Sequence, residues 1–260
     1  MKIYIKETLI EELRKIRDLG FVPNIRQGNH GGIGNTLENP LGIQENNLPI
    51  SNAAEWELKT QRLGTNSLIT LFHLEPSPQA LKFVPSLLLP KYGWLHQKAG
   101  LKYGENEMSF RQTISRMMPS DRGFQVVINE IEEKVLISFN YQLVKAKHAS
   151  WLKSVEARIG LGELTPQPYW GFSDLAAKAG TKLYNSFYVQ AKVKRENGLE
   201  FYHYQKILKL TKFSFNGLLK GLNSGFIFVD FDARTGHNHG TKFRLRQSYL
   251  PHLYEAIEEI

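Results

Sequence analysis

Apolar residues return at Leu9, Ile10, Leu13, Ile16 and Leu19, the spacing of a single helix face. Glu11, Glu12, Arg14, Lys15 and Arg17 make the solvated face, and Gly20 stands where such a helix ends. A glycine-dense run, Gly28 to Gly34, then predicts a loop, with a short helix starting near Asn35 or Thr36 as cap. Alternation predicts strands over Glu55–Gln61 and Ser67–His73. Residues 74–122, rich in Pro, Gly and charge, read as irregular. Phe124–Glu130 and Lys134–Phe139 read as a hairpin turning at Glu132-Glu133, and a helix is expected from Ser173 or Asp174 to Leu183. Asn197-Gly198, a strong turn signal, joins strands Asn185–Lys194 and Leu199–Leu210. Lys212–Leu222 reads as a helix, Phe226–Ala233 and Lys242–Arg246 as strands, and Tyr249–Ile260 as a closing helix.

This mixture of strands and helices predicts an α/β or α+β protein around a central sheet. The 260 residues are read as one unit, with a catalytic part over about 1–73 and 166–260 and an arm inserted at about 74–165. The formal charge of +8 favours a polyanionic partner, nucleic acid first, although many basic proteins have none. The absence of cysteine excludes disulfides, thiolate zinc sites and a Cys nucleophile. The N-terminus has no apolar core of signal-peptide length, so a cytoplasmic location is expected.

The candidate chemistry lies in Glu55-Trp56-Glu57-Leu58-Lys59-Thr60. On a strand, Glu57 and Lys59 emerge on the same face. A carboxylate there can ligate a divalent metal while the ammonium orients or helps deprotonate a water aimed at a phosphodiester. Glu55 shares that face, and Glu38, placed at the start of the preceding helix, is a candidate outer carboxylate. Taken alone, Glu-x-Lys also describes any half-exposed strand.

A second candidate is Arg234-Thr235-Gly236-His237-Asn238-His239-Gly240-Thr241-Lys242-Phe243-Arg244. Imidazole, Asn and Arg groups read base edges, while Lys and Arg meet phosphates. Half a metal site, a histidine general base, or a plain polar loop are the competing readings. Tyr188, Tyr202, His203 and Tyr204 interleave with Lys192, Lys194 and Lys206, which reads as a solvated amphipathic hairpin before a backbone-tracking ribbon.

Together these segments resemble the MvaI/BcnI family of restriction endonucleases and, more distantly, the mismatch-repair nickase MutH. The resemblance runs from the glycine block ending at Glu38, through Glu57-Leu58-Lys59-Thr60, Ser67–Phe72, Tyr169-Trp170-Gly171-Phe172 and Phe215–Asn223, to His237–Arg244. It implies a PD-(D/E)xK restriction-endonuclease-like core, a mixed sheet flanked by helices; the resemblance is weakest over 74–165, which charge and position alone mark as a DNA-clasping arm. It also implies Mg²⁺-dependent hydrolysis of double-stranded DNA at short CC/GG-type sites by a monomer that nicks one strand and then the other. A cognate methyltransferase would act on the same site. Glu57, Lys59 and Glu38 take the places of the catalytic residues, and Glu57 and Glu38 of metal ligands. His237, His239, Asn238, Lys242 and Arg244 take those of the DNA-reading loop, and Arg234, outside the matched motif, is a further candidate DNA contact.

Asn52 departs from that pattern, because the family has a metal-bridging Asp five residues before Glu57. Asn keeps the shape and one carbonyl oxygen but removes a charge, so the expected metal site of Asn52, Glu57 and Glu38 is weakened. An engineered inactive form, a naturally degenerate enzyme, or takeover of the ligand role by Glu55 would each account for it. The leading expectation is a type II restriction endonuclease impaired at Asn52. A MutH-like repair nickase and a catalytically dead sequence-specific DNA-binding protein are the alternatives.

Overall fold

The computed structural model describes residues 4–27, 32–43 and 56–260. Asn52 and Glu55, with most of the glycine block, lie outside the described residues. The elements in chain order are α1 (Lys6–Asp18), β1 (Val22–Pro23), α2 (Gly32–Glu38), β2 (Glu57–Arg62), β3 (Leu68–His73), α3 (Leu89–Tyr92), β4 (Trp94–Leu95), β5 (Met108–Ile114), β6 (Arg122–Asn129), β7 (Lys134–Val144), α4 (Ala149–Ile159), β8 (Tyr169–Gly171), α5 (Phe172–Leu183), β9 (Asn185–Glu196), β10 (Leu199–Phe213), α6 (Phe215–Asn223), β11 (Ile227–Arg234), β12 (His237–Asn238), β13 (Lys242–Arg246) and β14 (Tyr254–Glu259). The protein is mixed α/β, and the strands among the described residues divide into three sheets. The chain forms two compact units: Met1–Ile69 with Lys178–Gly217 and Arg246–Ile260, and Thr70–Ala177 with Leu218–Leu245. The second unit contains the whole of 74–165 and, in addition, the His237–Asn238 loop.

In the first unit the strand order is β1-β10-β9-β2, with β14 also on β10, and β2 lies parallel to β9. Alternation in β9 turns Phe187, Val189 and Ala191 to one face, where Leu9, Leu13 and Ile16 of α1 and Ile33 and Leu37 of α2 cover them. Burying each large side chain contributes about 1.5–3 kcal/mol, so this face decides where α1 and α2 rest. A bulge between Tyr204 and Lys206 shifts the register of β10, so Tyr202, Tyr204 and Ile207 all enter the same core. The hairpin tyrosines 188, 202 and 204 are therefore buried, not a solvated ribbon. Asn197 and Gly198 both have positive φ, as the hairpin turn between β9 and β10 requires.

The short helix begins at Gly32, earlier than expected, and Thr36 does not cap it. Its hydroxyl accepts from the Ile25 N–H and lies 3.4 Å from Asn24 Oδ1. A Cβ at position 32 would come within 2.5 Å of the Asn24 side chain, so glycine is what permits this close approach. Glu38 consequently ends the helix instead of starting it.

The carboxyl terminus is also different from expectation. Residues Gln247–Leu253 form a 3₁₀ turn, and Tyr254–Glu259 is a strand rather than a helix. Its Glu and Ala content favours helix locally, but the antiparallel edge of β10 supplies backbone partners over Leu208–Phe213. Lys206, Lys209 and Lys212 on β10 meet Glu259, Glu258 and Glu255 across that edge. Likewise β10 continues to Phe213 and α6 starts only at Phe215.

In the second unit β3-β13-β11-β5-β4 form one sheet, with β12 on β11, and β6-β7-β8 form another. Tyr92, Phe110, Phe124, Phe139 and Trp151 pack ring to ring. The stretch read as irregular thus contains β5, a strand between β11 and β4 that buries Phe110 and Ile114. Arg111, Gln112 and Thr113 interrupt its apolar signal because their faces serve polar contacts. Among the described residues, no helix is long and apolar enough to cross a membrane.

Candidate active site

One face of β2 is committed to the core through Leu58; the other carries Glu57, Lys59 and Gln61. Parallel pairing sets Ser186 opposite Glu57, Tyr188 opposite Lys59 and Gln190 opposite Gln61. Glu57 is only 2% exposed. Lys59 Nζ donates to its Oε1 at 2.8 Å, which is the juxtaposition expected from strand alternation. Lys182, in the last turn of α5, places its Nζ 3.0 Å from Oε2. That contact is an ion pair off the hydrogen-bond direction, and Oε2 has no hydrogen-bond partner among the described residues.

A carboxylate this deeply buried is costly unless it is compensated. Two ammonium groups on opposite oxygens provide the compensation. Behind it, the Ser186 and Tyr254 hydroxyls share a 2.7 Å hydrogen bond. Burial pushes the Tyr254 hydroxyl well above the ordinary tyrosine range, with the Glu57 charge adding to the shift, so it stays a neutral O–H. Burial likewise raises Tyr188 to about 12. Lys182, Ser186 and Tyr254 were missed by sequence reasoning. No local spacing links them to Glu57, and only the helix-end basic residue at 182 was a faint signal.

Glu38 is half-buried at the end of α2. Its charge is felt at the buried Tyr204 hydroxyl, which donates to the Ile33 carbonyl at 2.7 Å. Among the described residues there is no group of three or more His, Asp or Glu side chains arranged to hold a metal.

The predicted DNA-reading loop lies in the second unit. Thr235-Gly236 turns β11 into β12, and His237, Asn238 and His239 are exposed, the two imidazoles 4.2 Å apart and nearly perpendicular. Burial holds His239 below the ordinary histidine range, with His237, Lys242 and Arg111 adding to the effect against Asp232. Glu75 holds the end of the loop: it accepts from the Thr241 N–H at 2.8 Å and hydroxyl at 3.1 Å, and from Asn238 at 3.4 Å. It too was missed, since it lies in a Pro-rich stretch with no pattern.

Beside the loop, two carboxylates on β11 arrange cations from both neighbouring strands. Asp232 pairs with Lys242 and Arg111, both at 3.4 Å. Asp230 lies 3.5 Å from Arg244 and accepts from Thr113 at 2.6 Å. The face therefore presents positive side chains in fixed places, although not with their full charge. Arg234 is differently engaged. It donates to Glu107 at 3.0 Å and lies over the Tyr103 ring, which ties down the base of the loop.

The profile of the MvaI/BcnI restriction endonuclease family matches residues 10–254, nearly the whole chain. The chain belongs to the MvaI/BcnI restriction endonuclease family. Its members are site-specific endodeoxyribonucleases that use divalent metal ions, and this chain is an enzyme of that class. Among solved structures, it is similar to the restriction endonuclease MvaI in complex with its cognate DNA substrate. That match has 22% identity over 97% of this chain and 97% of that one, with a TM-score of 0.77. Restriction endonuclease MvaI in the absence of DNA matches with 23% identity over 100% of both chains and a TM-score of 0.55. These likenesses establish the restriction-endonuclease fold. Comparison with curated protein sequences gives no significant match.

Proposed function

We propose that this protein recognises a short CC/GG-type pseudopalindromic site in double-stranded DNA. It hydrolyses the phosphodiester bonds there by sequential nicking as a cytoplasmic monomer, with activity reduced by Asn52. The observation that carries the reading is the buried Glu57 between Lys59 and Lys182, on the strand where the family has its Glu-x-Lys pair.

Mg²⁺ is the metal this donor set fits best, because every candidate ligand is an oxygen. Glu57 is the one deeply buried carboxylate on this face of β2, and its Oε2, ion-paired with Lys182, makes no hydrogen bond among the described residues. The Asn52 carbonyl oxygen would be the second ligand, with Glu38 in the outer shell. The site is thus one charge short, which weakens retention of the ion. When bound, Mg²⁺ neutralises the scissile phosphate and lowers the pKa of a water. Lys59, its ammonium held against Glu57, would orient the attacking water, and Lys182 adds a second positive charge beside Glu57. His237, Asn238 and His239 read base edges; Lys242 and Arg244 meet backbone phosphate. Arg234 acts through the loop it braces. A methyltransferase of matching specificity would protect host DNA without binding this chain.

The deciding experiment incubates the protein and its Asn52→Asp variant with unmethylated phage DNA and Mg²⁺, and sequences the ends. Discrete fragments from the variant, with weaker or no cutting by the parent, support an enzyme impaired at position 52. Equal cutting by both would transfer the ligand role to Glu55. Cutting by neither, with site-specific binding retained, would overturn the cleavage reading in favour of a DNA-binding protein, which the neutral side chain at 52 already favours as the second reading. Nicking only with an added partner protein would favour the MutH-like alternative.

A further inference from the structure

Arg122 opens β6 in the second unit with its guanidinium stacked on Trp94, 3.7 Å from the ring centre, and 5.5 Å from that of Trp151. Neither ring supplies a hydrogen-bond acceptor in its plane. The buried Arg122 Nε has no hydrogen-bond partner among the described residues, and neither has the buried Gln112 Nε2. Both residues line the same open cavity, of about 810 Å³, together with Arg111, Lys145, Lys147 and His148. The Gln112 carbonyl oxygen is already taken by the Ser120 hydroxyl at 3.0 Å, so its amide is turned to leave the donor unmatched.

A buried donor without an acceptor is expensive, and two on one cavity call for a ligand made of acceptors. The charge agrees: four cations line the cavity against a single carboxylate, Asp121. Asp121 binds Lys145 through Oδ1 and Lys147 through Oδ2, and its carboxyl is pulled down to about 2 by those two contacts. It thereby gathers two exposed ammonium groups at one rim, where a phosphate of higher charge would compete with it for them. Arg111 is partly engaged by Asp232 at 3.4 Å. The planar, stacked guanidinium is pre-organised for phosphate oxygens in a way that a lysine is not.

We propose that the Arg122–Gln112 cavity is a phosphate seat that grips the DNA backbone, with Lys145 and Lys147 as its rim. It is a different set of residues from both the Glu57 face and the His237–His239 loop. The inference rests on the reading of this protein as a DNA-binding nuclease and adds the residues that anchor the backbone. The same chemistry would also accept a free phosphate, and the test separates the two.

Duplex binding is followed by fluorescence anisotropy at several salt concentrations for the parent, Lys145→Gln/Lys147→Gln, Arg122→Lys, and the control pair Lys6→Gln/Lys15→Gln on α1. Each phosphate contact contributes about 0.9 to the slope of log affinity against log salt. The rim double variant should weaken binding and flatten the slope by about 0.9–1.8. The control should match the parent. Arg122→Lys keeps the charge but loses the planar stacked fork, so it should weaken binding with little change in slope. Circular dichroism melts confirm that the rim variant, altered only at exposed positions, remains folded. A parent that fails to bind duplex would refute the DNA-binding reading itself. A parent that binds, with the rim variant unchanged in affinity and slope, would overturn the seat alone. Inorganic phosphate is titrated separately against tryptophan fluorescence, which Trp94 and Trp151 should report. Quenching by phosphate that the rim variant abolishes, without any change in duplex binding, would assign the cavity to a free anion and likewise overturn the proposal.

Discussion

Lys182 Nζ lies 3.0 Å from Glu57 Oε2, so the carboxylate of the Glu-x-Lys pair is held by a second lysine from the end of a distant helix. The side chains of Lys182 and Glu57 are 15% and 3% exposed, and the pairing is therefore poorly screened by solvent. Lys182→Met, which keeps length and removes charge, should destabilise the protein by about 1–3 kcal/mol. That is less than the 3–5 kcal/mol typical of leaving a buried charge alone, because Lys59 remains. Urea unfolding measures it, and an unchanged midpoint would mean the pair contributes nothing.

Glu200 should make stability depend on pH. Burial alone would push its carboxyl up, but the Tyr202 hydroxyl, Arg62 and Arg195 outweigh that and hold it below the ordinary glutamate value. A carboxyl lowered in the folded state contributes stability above its unfolded pKa, and that contribution is lost as pH falls through the folded one. The parent should lose stability steadily below about pH 4.5, the usual glutamate range, and Glu200→Gln should be less stable at pH 7 with a flatter acid limb. Denaturation midpoints between pH 3 and 7 would show parallel curves if the prediction is wrong.

His239 is held below the ordinary histidine range, so in the proposed DNA-reading role it would offer a base one donating and one accepting ring nitrogen at neutral pH. His239→Ala should cost about 1–3 kcal/mol of affinity for the cognate site and little for unrelated duplex. Equal losses on both DNAs would reassign it to general backbone contact.

Glu75 joins the loop end through the Thr241 backbone and hydroxyl. Replacement by Ala leaves both donors without it, an expected loss of about 1–3 kcal/mol. Hydrogen exchange should quicken at Thr241 and Gly240 while Phe110 in β5 stays protected. Unchanged exchange at Thr241 would show that the loop holds its shape without the carboxylate.

Period-two alternation was enough to put Glu57 beside Lys59, and Asn197-Gly198 was enough to place the β9–β10 turn, because both follow from backbone geometry over a few residues. The order of the motifs from the glycine block to His237–Arg244 likewise carried the family. Tertiary structure decided the rest. Lys182 pairs with Glu57 from a distant helix, and Ser186 and Tyr254 come to its neighbourhood because β9 lies parallel to β2 and β14 lies along β10. Glu75 reaches Thr241 by the same kind of long-range contact. Residues 254–259 became a strand against their local helix preference because the edge of β10 offered both backbone partners and a row of lysines. Local pattern determines which way a side chain points along its own segment; which distant side chain it meets depends on how the sheets close, and the sequence records that only through contacts far apart in the chain.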